Sequence, residues 1–153
     1  MLKATFLLTV LFAVNTEFTI EAGSVNTTNK YVVSLTPASF LQAWAYCNNK
    51  NLQFVSIPSL TQHKALASSL TKDNIPTVSL WIGGMWLEGF RTENFNQWFW
   101  VNGQEPFSWS HWDSAPSVKN DDTCIVYNYD ADTKSGSWST DYCENQKFFV
   151  CLS

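Results

Sequence analysis

His63 and His111 are the only histidines in this 153-residue chain, and histidine is the side chain that ordinarily changes charge near neutral pH. Acid–base or nucleophilic catalysis by either would need a neighbouring nucleophile and a third group to orient the base. Neither stands in such a context, and no G-x-S-x-G, H-E-x-x-H or P-loop pattern occurs, so an enzyme is not expected. His63 shares a helical face with Leu66 and Leu70 and is expected as a helix-surface or half-buried residue rather than a ligand, with no carboxylate or second histidine close by. His111, between Ser110 and Trp112, is expected to face solvent. Asp113, Asp121, Asp122 and Asp141 could gather a divalent cation on one loop rim, although aspartates so placed are more often turn caps.

Cys47, Cys124, Cys143 and Cys151 complete the reactive inventory. There is no C-x-x-C, and the histidines are remote in sequence, so structural zinc is disfavoured. The first residues decide how the thiols are read. Lys3 precedes an apolar run from Ala4 to Val14, followed by polar residues, which is the pattern of a secretory signal peptide over residues 1–22. Export makes two disulfides the expectation, with three pairings open. The mature chain is then residues 23–153, one domain by length, extracellular, without a second long apolar stretch. Asn26 lies in the one glycosylation pattern considered, Asn26-Thr27-Thr28. Net charge is −4 with no basic run, which argues against nucleic acid.

The elements that must position these groups are short. Tyr31–Val33 reads as a strand, and Thr36-Pro37 as the start of a helix burying Phe40, Trp44 and Cys47. Leu52–Ile57 alternates as a strand. Ser59 with Gln62 makes a capping-box pattern opening a second helix. Val78–Ile82 reads as a central strand followed by Gly83-Gly84, where another backbone can come close. Strand character returns at Trp98–Val101, and Asn102-Gly103 signals a turn. The remaining strands are Cys124–Tyr127, Trp138–Cys143 and Phe148–Leu152. This is α+β, two helices on a largely antiparallel sheet. Residues 98–151 hold five of the eight tryptophans and three of the four cysteines among turn-forming residues, a long ordered loop pinned by aromatic rings.

Several marks in order resemble the C-type lectin-like domain, from about Lys30 onward, in the short single-domain secreted form common in invertebrates. They are Cys47, W-I-G-G at 81–84, F-W-V-N-G at 99–103, W-x-x-x-P at 112–116, Cys124, G-S-W at 136–138, Cys143 and F-V-C at 149–151. The resemblance implies Cys47–Cys151 and Cys124–Cys143 pairing and a cis Ala115–Pro116 bond. It also implies a secreted recognition protein of innate immunity that binds glycans. A protein-binding module of the same fold, with sugar binding lost, is the alternative.

Sugar-binding members hold calcium on the long loop through an acidic or amide triplet around a proline, an acid before the third cysteine, and an Asn-Asp pair after the late tryptophan. Here the triplet reads Ala115-Pro116-Ser117, the pair is Ser139-Thr140, and only Asp122 keeps a carboxylate. Calcium needs about six to eight oxygens, so tight calcium is not expected, a weak or relocated site being the rival. Trp98 and Trp109 are then candidates to stack on a pyranose ring. Ser117, Asn120, Asp121, Asp122, Ser139 and Thr140 are candidates to bond its hydroxyls. Trp100, Trp112 and Trp138 are assigned to the core.

Overall fold

The computed structural model describes residues 31–86, 98–103, 107–118 and 122–153. The signal segment, Asn26, Asn120 and Asp121 lie outside them. The elements run β1 (Tyr31–Ala38), α1 (Phe40–Asn49), β2 (Gln53–Phe54), α2 (Leu60–Lys72) and β3 (Val78–Trp86). They continue with β4 (Trp98–Trp100), β5 (Thr123–Asp130), β6 (Ser135–Tyr142) and β7 (Lys147–Leu152).

The strands form one sheet in the order β1-β7-β3-β5-β6, with β2 added to β7 and β4 to β3. Pairing is antiparallel except between β3 and β7, which makes the sheet mixed. Successive side chains on a strand point to opposite faces. On β5, Cys124 and Val126 face one core while Ile125 and Tyr127 face the other; on β3, Trp81 and Ile82 divide likewise. One face receives α1, through Phe40, Ala43 and Cys47, together with all four cysteines. The opposite face receives α2, through Leu66 and Leu70, and the tryptophans of the long loop.

Cys47 pairs with Cys151 and Cys124 with Cys143. The first bond joins α1 to β7 and the second joins the base of the long loop to the end of β6.

Local signals were partly overridden. Ser39, not Thr36, caps α1, and its capping box with Gln42 satisfies donors in both directions. Thr36 and Pro37 instead lie in β1, where the register shifts between Ser34 and Ala38. An edge-strand irregularity is where a residue without an N–H is tolerated. Ser59 does cap α2, its hydroxyl accepting from the Gln62 amide. The expected strand over 52–57 shrinks to Gln53–Phe54: Val55 N still donates to Val150 O at 3.3 Å, but the Val55 carbonyl accepts a 2.7 Å bond from Gly83 N of β3 instead of continuing the pairing with β7. A Cβ on Gly83 would sit 3.1 Å from the Val55 carbonyl oxygen, so the paired glycines do admit a second backbone.

Candidate functional site

The long loop is built around Trp138, fully buried on β6. Trp100, Phe107, Trp109 and Trp112 meet its ring edge-on, with centroids 5.4–5.8 Å away. The backbone reinforces this. Trp138 N donates to His111 O at 2.8 Å, and Asp113 N donates to Trp138 O at 3.0 Å. The loop therefore runs beside β6 as a one-residue parallel bridge at Trp112. Gly136 is obligatory on the same strand, since a Cβ there would lie 2.2 Å from the buried Tyr127 ring.

Trp98 is corrected from a candidate stacking platform to a core residue. It is 6 % exposed, its ring packed against Trp86 at 5.2 Å and Trp112 at 5.1 Å, so no open face remains. Trp109 is half-buried and keeps part of its indole accessible. Trp112, assigned to the core, is likewise only half-buried.

The histidines, read as unrelated, meet. Their ring centroids are 4.4 Å apart, Trp109 stacks on His111 at 5.8 Å, and His63 also contacts Trp109 and Tyr127. His63 is buried rather than surface-facing, because it lies on the Leu66–Leu70 side of α2. Burial, then the charge of His111, pulls its pKa down to about 4, against a weaker upward pull from a Gly136 backbone hydrogen bond. In the unfolded chain the imidazole returns to about 6.5. Between those values the unfolded chain binds more protons than the folded one, so the stability this group contributes is complete above pH 6.5. It is expected to fall by roughly 2–3 kcal/mol as pH drops from 6.5 to 4, and then to level off. Urea midpoints measured across that window should show the slope, and His63→Leu should flatten it.

The loop's family-type ion position can be tested against the groups present. The Ala115–Pro116 bond is trans, not cis. With Ala115 before the proline, no pair of side-chain oxygens flanks it that must converge, and the ordinary trans preference is unopposed. Thr140 Oγ1 donates to Ser117 O at 2.8 Å, which joins loop to strand directly. Ser139 points to the other face of β6, where its hydroxyl accepts from Asn128 Nδ2 at 2.7 Å, and so does not join Thr140. Asp122 is half-buried, and its carbonyl accepts from Cys143 N. The Asp141 carboxylate is held by Lys147 at 2.7 Å and accepts from Asn145 and the Tyr142 amide. Burial raises its pKa, but these bonds and the Lys147 charge outweigh that and hold it below the usual range. Asp113 Oδ1 accepts from Ser114 Oγ at 3.3 Å. Among the described residues no three acidic, histidine or cysteine side chains converge as a metal site. Asn120 and Asp121, the latter a candidate for a relocated ion, lie outside the described residues.

The Lectin C-type domain model matches residues 36–153. This chain belongs to the C-type lectin domain family. Solved structures agree on the fold. Human lithostathine superposes with a TM-score of 0.67 at 24 % identity, over 86 % of this chain and 88 % of that one. The calcium-independent C-type lectin SPL-2 from Saxidomus purpuratus gives 0.63 at 20 %, over 84 % and 88 %. A calcium-independent type II antifreeze protein gives 0.58 at 22 %, over 85 % and 89 %. No curated protein matches by sequence alone.

Within this C-type lectin domain, then, the structure brings Thr140 to Ser117, sends Ser139 elsewhere and buries Trp98. The feature that sequence reasoning missed is the His63–His111–Trp109 cluster. Its one advance signal was the helical spacing of His63 with Leu66 and Leu70.

Proposed function

We propose that this C-type lectin domain is a secreted, non-enzymatic recognition protein that binds glycans without calcium. The supporting observation is the Thr140–Ser117 bond: at the family's ion position, loop and strand are joined by the protein's own hydroxyl and carbonyl. The half-buried rings of Trp109 and Trp112 remain on the loop as apolar faces suited to a pyranose. SPL-2, described as a calcium-independent C-type lectin, is a precedent for the fold without the ion. Paired cysteines favour an oxidising, extracellular setting. No described helix is long and apolar enough to cross a membrane.

The test is a glycan array probed in calcium and again in chelator. Equal binding in both buffers, reduced at least tenfold by Trp109→Ala in a variant with an unaltered fold, is the expected result. Chelator-sensitive binding would overturn the ion-free reading. Silence in both buffers would favour a protein partner, a reading that the loss of the calcium ligands also supports.

A further inference from the structure

On the α2 face of the molecule, away from the Thr140–Ser117 junction, lies an open cleft of about 710 Å³ between α2 and the β5–β6 turn. Lys64 and Lys72 on α2, Lys134 on the turn, and His63 and His111 all line it, and among the described residues no carboxylate does. Lys64, Ser68, Thr71 and Lys72 recur at helical spacing, so α2 presents them as one stripe. The only ion pair among the described residues is Lys147–Asp141, on another part of the chain. A chain of net charge −4 thus gathers three ammonium groups around one concavity.

Lys134 adds an independent observation. It holds φ at +54°, the left-handed region that glycine or asparagine adopts with least strain. Backbone economy alone would place glycine there. The lysine at that position supplies charge to the cleft despite the conformational cost.

We propose that this cleft binds an anionic oligosaccharide, one bearing sulfate or carboxylate groups, with Lys64, Lys72 and Lys134 as its cationic contacts. The volume is in the range of sites for small organic ligands and far larger than a lone anion needs. Ser68 and Ser135 hydroxyls and the His111 ring lie among the lysines, and mixed hydroxyl and ring surface suits a sugar more than a bare ion. This site adjoins the loop surface proposed above through His111, on which Trp109 stacks, but its test reads the anionic groups of the probe and the lysines, which that surface does not contain.

Calorimetric titration of the full mature chain would use four probes: a sulfated uronic acid–glucosamine hexasaccharide, its desulfated form carrying only carboxylates, a neutral chitin-type hexasaccharide, and inorganic sulfate. Binding of the sulfated probe is expected, weakening as salt rises, with no binding of the neutral one. The desulfated form tells which anionic group is read: binding assigns carboxylate as sufficient, and failure assigns sulfate. Lys134→Gly is expected to lower affinity at least fivefold while the melting temperature holds or rises, because glycine relieves the positive φ. Lys64→Gln should lower it similarly. Neutral and sulfated probes binding alike, inorganic sulfate competing at equal concentration, or Lys134→Gly and Lys64→Gln both leaving affinity intact would overturn the proposal.

Discussion

Replacing Cys47 and Cys151 together by alanine is expected to cost about 4–5 kcal/mol, a large share of the roughly 5–15 kcal/mol that keeps a domain folded. The bond closes a ring between residues 104 apart, so its loss returns much loop-closure entropy to the unfolded chain. Both sulfurs are also buried, packed with Phe40, Phe54, Trp81 and Phe149, so the paired alanines leave unfilled space in the core under α1. The bond anchors β7, which pairs with β1, β2 and β3 at once, so the loss is transmitted to the middle of the sheet. Removing Cys124–Cys143 instead opens a ring of separation 19, for which about 3 kcal/mol is expected. Urea denaturation of both double variants checks the order. Equal midpoints would mean that the sheet alone sets stability.

Trp138→Ala is expected to cost about 3–5 kcal/mol, the range for deleting a large buried aromatic side chain. The ring is fully buried and four others lean on it, so the void opens beneath the whole aromatic loop rather than at its margin. The two backbone bonds from Trp138 to His111 and Asp113 persist in principle, but the rings that hold that segment against β6 lose their common partner. The near-ultraviolet signal of the tryptophans should fall, and amides over 107–113 should exchange faster, while α1 and β7 stay protected. Trp138→Phe should recover about half of the loss, since it keeps one of the two fused rings. A cost below about 1 kcal/mol with loop protection intact would show that the nest is held elsewhere.

The legible parts were those with strong local causes. The apolar run at Val78–Ile82 located β3, the strands read at Cys124–Tyr127, Trp138–Cys143 and Phe148–Leu152 fall within or overlap β5, β6 and β7, and the Ser59–Gln62 spacing located the start of α2. The cysteine partners followed from family resemblance, since spacing by itself left three pairings. Where reading failed, a long-range contact had outweighed a local preference. Thr36-Pro37 has the chemistry of a helix start, but pairing with β7 keeps that segment in β1 and delays the helix to Ser39. Val55 alternates like a strand residue, but its carbonyl is taken by Gly83. Aromatic density announced an ordered loop without distinguishing a ring that faces a ligand from one that faces the core, and Trp98 fell on the wrong side. His63 and His111 lie far apart in sequence, and only the Trp138 bridge beside β6 lays His111 over α2.

The Thr140–Ser117 bond has a further consequence. A latch made of a hydroxyl and a carbonyl has nothing that can diffuse away. Its closure does not depend on the concentration of a divalent cation, and neither group ionises in the physiological pH range. Such a junction stays shut in ion-poor and mildly acidic surroundings alike, where a metal-clamped one would slacken.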